Sequence, residues 1–75
     1  MNVVAVASTA LTTVAYDDAA RILRLEFRSG AAYRYFDVPA EIQEGLLRAA
    51  SKGGYFNEQI RERFRHVRVA TAGEA

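Results

Sequence analysis

Leu23-Arg24-Leu25-Glu26-Phe27-Arg28-Ser29-Gly30-Ala31-Ala32-Tyr33-Arg34-Tyr35-Phe36 decides how this chain folds. Apolar Leu23, Leu25 and Phe27 alternate with charged Arg24, Glu26 and Arg28, the period of a strand with one buried face. Ser29-Gly30 breaks the run, and residues 31–36 return as the second arm of a hairpin. Two registers compete. A three-residue loop, Arg28-Ser29-Gly30 with Gly30 in the left-handed conformation, sets Phe27 opposite Ala31, Leu25 opposite Tyr33 and Leu23 opposite Tyr35. A two-residue Ser29-Gly30 loop places Arg34 among Leu23, Leu25 and Phe27 instead. Burying an unpaired guanidinium is costly, and a one-residue slip turns every side chain of the strand over. The three-residue loop is therefore expected. Tyr33 and Tyr35 then share the apolar face, and Arg24, Glu26, Arg34 and Phe36 share the other.

Upstream, residues 12–16 are rich in Thr and Val and end at Asp17-Asp18, a turn signal. Val3-Val4-Ala5-Val6-Ala7 reads as a first strand, because it lacks the basic flank and the length of a signal peptide's apolar core. Downstream, Pro39 suits the first turn of a helix, with Glu41 and Glu44 near its positive end. Ile42, Leu46, Ala49 and Ala50 give that helix its apolar stripe, and Ser51-Lys52-Gly53-Gly54 ends it. A second helix is expected from about Tyr55 to Phe64 or beyond, on the spacing of Phe56, Ile60, Phe64 and Val67. The expected fold is α+β: a small antiparallel sheet of three to four strands, in ββ(β)αα order, with two helices packed on one face. Leu23, Leu25, Phe27, Tyr33, Tyr35, Ile42, Leu46, Phe56, Ile60 and Phe64 are its expected core. Residues 1–69 form a single domain in this reading, and residues 70–75, small and polar, a disordered tail.

Seventy-five residues support only one hydrophobic core. The chain has no cysteine, which excludes disulfides, thiolate catalysis and Cys-based metal sites and fits a cytoplasmic location. A membrane span needs about 20 apolar residues, and no such window exists, so no membrane partner is expected. Net charge is only +1, but it is unevenly spread. Residues 1–47 carry four basic and six acidic side chains, whereas residues 48–68 carry six basic and two acidic ones. A basic C-terminal half points towards an anionic partner.

The combined pattern resembles the KTSC domain family. It comprises Tyr16-Asp17, Leu23-x-Leu25-x-Phe27-x-x-Gly30, Tyr33-Arg34-Tyr35, Val38-Pro39, Ala50-Ser51-Lys52-Gly53, and Phe56-Asn57 with Ile60-Arg61. That family is a short module found alone in bacteria and at the C-terminus of some lysyl-tRNA synthetases, with a central Tyr-x-Tyr as its hallmark. The resemblance covers residues 8–69 and implies RNA as a partner without assigning a site.

Each candidate residue carries two readings. Tyr33 and Tyr35 could stack on unpaired bases, but the register puts them in the core as structural residues. Arg24, Arg34 and Phe36 then form the better platform, since guanidinium planes beside an aromatic suit phosphate contact and stacking. The alternative is a solvated face, with Glu26 diagonal to Arg34. Arg61, Arg65 and Arg68 line up on one stripe if the second helix continues that far, and could follow a phosphate backbone. Alternatively, Glu58 pairs with Arg61 and Glu62 with Arg65 across the helix surface. Ser51-Lys52-Gly53-Gly54 lacks the length of a phosphate loop and reads as a turn, with Lys52 free to join a basic surface. His66 is the sole histidine, and a Ser51–His66–Asp37 triad has no supporting motif. A chain this short rarely encloses a pocket of several hundred cubic ångströms. No enzyme, no metal and no cofactor are expected. The expected function is an RNA-binding accessory module, through Arg24, Arg34, Phe36, Lys52, Arg61, Arg65 and Arg68. The alternative is a protein-interaction domain, self-associating or docking to a larger enzyme.

Overall fold

The computed structural model describes residues 2–69. The element order is β1 (Asn2–Ala5), β2 (Leu11–Asp17), β3 (Ile22–Phe27), β4 (Ala32–Tyr35), α1 (Ala40–Arg48), α2 (Lys52–Gln59) and β5 (His66–Val69). The strands form one antiparallel sheet in the order β1-β2-β3-β4-β5. The fold is α+β as expected, with five strands rather than three to four. The expectation for residues 70–75 lies outside the described residues.

The hairpin register is the one that keeps Arg34 out of the core. Leu23 pairs with Tyr35, Arg24 with Arg34, and Leu25 with Tyr33. The loop closes through Phe27 N–H to the Ala31 carbonyl at 2.8 Å and Gly30 N–H to the Phe27 carbonyl at 2.9 Å. Gly30 has φ +96°, where a β-carbon is strained.

On β2, Leu11 and Val14 are both buried although three residues apart. Strict alternation would send them to opposite faces. A bulge between Leu11 and Thr13 resolves the conflict, because it inserts one residue and turns Leu11 back to the core. Leu11, Val14, Tyr16, Leu23, Leu25, Tyr35, Val38, Leu46 and Ile60 form the buried cluster. All ten expected core residues belong to it or pack against it; Leu11, Val14, Tyr16 and Val38 complete it.

Both helices pack on this face of the sheet, α1 burying Leu46 and α2 setting half-buried Tyr55 and Phe56 against the core. Pro39 stands one position earlier than expected, as the N-cap of α1, and Ala49 and Ala50 fall beyond the end of that helix. Ser51-Lys52-Gly53-Gly54 does not end a helix but starts α2: the Ser51 hydroxyl accepts from Gly54 N–H at 3.1 Å as its N-cap. α2 closes at Gln59, well short of the expected Phe64. Ile60 leaves helical geometry to enter the core at 0% exposure, and a turn over Arg61, Glu62 and Arg63 brings the chain back. It then runs along β4 as β5. Phe64 packs on the core from this return segment, and Val67, expected on the helix, is an exposed strand residue.

Candidate functional site

The sheet offers two different surfaces. On the face away from the helices, the pairings align Val3, Ala15, Arg24, Arg34 and Val67 in one row across all five strands. Ala15 and Ala32 are buried here because they are small beneath longer neighbours, while Arg34 is exposed and Arg24 half-buried. Arg24 and Arg34 are thus like charges in direct cross-strand opposition, which is unfavourable in isolation. Glu26 offsets only one of them, lying 3.9 Å from the Arg24 guanidinium while its carboxylate also accepts from the Thr13 hydroxyl. Beyond Arg34, the Arg65 guanidinium lies 4.7 Å from the Phe36 ring centroid. Arg24, Arg34, Phe36 and Arg65 therefore gather on this face.

The other three candidates do not join them. Arg68 pairs with Tyr33 and, alternating with Val67, belongs to the helix side of the sheet. Arg61 lies in the turn after α2. Lys52 donates through Nζ to the Ala49 carbonyl at 3.1 Å, tying the interhelical loop. The single helical stripe of Arg61, Arg65 and Arg68 does not exist, because the chain leaves the helix at Ile60 and alternates as a strand from His66. Neither expected glutamate–arginine pair forms; Arg63 instead bonds the Glu58 carbonyl through Nε at 2.9 Å.

The second surface was not foreseen. Between the hairpin, α2 and the start of β5 runs an open groove of about 580 Å³, lined by Phe27, Tyr33, Tyr35, Phe56, His66 and a polar rim that includes Asn57 and Arg61. Its rings meet edge to face: Phe27 with Phe56 at 5.1 Å, Tyr35 with Phe56 at 5.8 Å and Tyr33 with His66 at 5.8 Å. Tyr35 and His66 are cross-strand partners with centroids 5.2 Å apart. Tyr35 is 3% exposed, and burial, with Tyr33 alongside, pushes its phenol up to about 12 against the pull of Arg61. Tyr16 resolves its buried hydroxyl differently, donating it to the Val38 carbonyl. The alternation His66-Val67-Arg68-Val69 was the available signal for this groove: read as a strand, it places His66 beside Tyr35.

Among the described residues, no group of three His, Asp or Glu is placed to hold a metal, and no helix is long and apolar enough to cross a membrane. The Ser51 hydroxyl serves as a helix cap, and the His66 ring lies against Tyr33 and Tyr35.

These features define a small α+β module: a five-stranded antiparallel sheet carrying two helices on one side. The model of the KTSC domain matches residues 7–64, and the chain belongs to that family. A crystal structure of a KTSC domain protein from Yersinia pestis superposes with a TM-score of 0.89 at 28% identity, covering 92% of this chain and 97% of that one. An uncharacterised protein of Stutzerimonas stutzeri is 41% identical over 70 residues, spanning 92% of this chain and 99% of its own. A lysine–tRNA ligase of Trichormus variabilis is 38% identical over 55 residues, which is 73% of this chain but only 10% of the ligase.

Proposed function

We propose that this domain is a non-catalytic RNA-binding accessory module whose contact surface is the helix-free face of the sheet. The observation that carries this reading is the opposition of Arg24 and Arg34 on β3 and β4, extended by Arg65 over Phe36. Two guanidiniums held side by side on a solvated face gain most from a partner that supplies phosphates, and a neighbouring ring adds a surface for a base. The similarity to a segment of lysine–tRNA ligases supports RNA as that partner.

Fluorescence anisotropy with labelled tRNA and with a generic single strand tests the reading. If Arg24, Arg34 and Arg65 each neutralise one phosphate, affinity falls by ~20-fold to ~40-fold between about 50 and 200 mM salt. Arg34→Thr removes one phosphate contact and flattens that salt dependence. It also relieves the like-charge opposition, so the variant is as stable as the parent or more stable by up to ~1 kcal/mol. Absence of binding at low salt rejects the proposal.

A protein-interaction role has its own support in the sheet edges. β1 and β5 are edge strands with Val3 65% and Val67 47% exposed, a surface on which a further strand could pair. Concentration-dependent sedimentation of the isolated chain, with RNA binding absent, is the outcome that favours it.

A further inference from the structure

We infer that the aromatic groove between β4, β5 and α2 is a binding site for a nucleotide base, separate from the arginine face. Its floor carries a polar group that the fold leaves unused. The Tyr35 side chain is more than nine-tenths buried, yet its hydroxyl finds no hydrogen-bond partner among the described residues. The same residues contain no sealed side-chain oxygen or nitrogen without a partner, so this hydroxyl must open into the groove that Tyr35 lines. Water meets the hydroxyl there while the groove is empty, and a ligand that displaces that water must bring an acceptor of its own or leave the group unmet.

The surroundings narrow the ligand. Phe27, Tyr33, Phe56 and His66 present ring faces and edges, which suits a flat unsaturated ring. An aliphatic or phenyl side chain would fill that space and still leave the Tyr35 hydroxyl unmet. A nucleobase offers the π surface and a keto or ring-nitrogen acceptor on its edge. At the rim, the Asn57 amide can both donate and accept, and Arg61 and Glu62 both line the groove, one cation and one carboxylate. The nucleotide could be free or part of a strand. The inference stands on the groove alone and holds whether or not the arginine face binds RNA.

Titrating AMP, GMP, CMP and UMP into the full chain labelled with ¹⁵N tests it. At least one nucleotide should give saturable amide shifts confined to Tyr33, Tyr35, Phe56, Asn57 and His66, and inorganic phosphate alone should not. Tyr35→Phe keeps the ring and removes the donor, so binding weakens about fivefold; retained amide dispersion confirms the fold. Asn57→Ala, at an exposed rim position, weakens binding independently of the core. Arg24→Glu with Arg34→Glu leaves nucleotide binding unchanged, which separates this site from the proposed RNA face. A hexanucleotide of the preferred base that binds the groove more tightly than its monomer identifies a strand as the source; equal or weaker binding identifies the free nucleotide. Groove shifts that are absent at millimolar nucleotide, or tighter binding of N-acetyl-phenylalaninamide than of any nucleotide, overturn the inference.

Discussion

The Arg65 guanidinium lies over the Phe36 ring, 4.7 Å from its centroid, and the Phe36 amide donates to the Arg65 carbonyl at 2.9 Å. One residue thus covers an aromatic that faces away from both helices, and at the same point joins β5 to the end of β4. The side-chain and backbone links separate cleanly. Arg65→Ala removes only the first, and exposed cation–π contacts contribute about 0.5–1 kcal/mol. Urea unfolding should show a loss of that size with an unchanged m-value, while Arg65→Lys recovers part of it. A loss above ~2 kcal/mol would mean that the β5 return itself depends on this side chain.

Burial of two phenols makes the fold sensitive to alkali. Tyr35 titrates at about 12 because its surroundings disfavour the phenolate, and Tyr16 is raised as well, by burial and then by Asp18 nearby. The unfolded chain releases these protons near the ordinary tyrosine value of about 10. The folded state therefore binds more protons than the unfolded state between about pH 10 and 12. Stability from this source is complete below about pH 10 and drains away as pH rises through the folded value. Phenolate absorbance should show Tyr35 and Tyr16 ionising late, in step with loss of near-ultraviolet dichroism. Tyr35→Phe should remove one late step.

The hairpin was legible because one mistake in register would have buried a charge: the penalty on Arg34 chose among alternatives that propensity alone leaves equal. The ten expected core positions followed from the same periodicities. The end of α2 was not legible, because Phe56, Ile60 and Phe64 keep helical spacing whether the chain stays helical or turns after Ile60 to bring Phe64 back. Both routes bury the same side chains, so the pattern does not distinguish them. The glycines of Gly53-Gly54 read as a break, yet Ser51 caps the turn that contains them. Misplacing β5 hid the groove, since His66 closes it only from a strand beside Tyr35. On the sheet face, Arg24, Arg34 and Phe36 were legible as neighbours because strand alternation alone places them; Arg65 reached them by an unforeseen path.

Gly45 gives the sharpest test of how the two helices meet. It lies inside α1, where alanine ordinarily stabilises by roughly 0.5–1 kcal/mol through backbone entropy. Here the position is occupied: the Tyr55 phenol of α2 sits against Gly45, where a β-carbon would overlap its ring, and its hydroxyl donates to the Ile42 carbonyl at 3.0 Å. Gly45→Ala must displace that ring or push the helices apart, and overpacking of this kind costs about 1–3 kcal/mol. The collision outweighs the entropy gain, so the variant should be destabilised by ~1–2 kcal/mol. The sign reverses once the ring is gone. In a Tyr55→Ala background, Gly45→Ala should stabilise by ~0.5–1 kcal/mol, as on an unencumbered helix. A double-mutant cycle by thermal or urea unfolding measures the difference directly. A stabilising Gly45→Ala in the parent chain would show that the phenol does not rest on α1, and the close approach of the two helices would have to be redrawn.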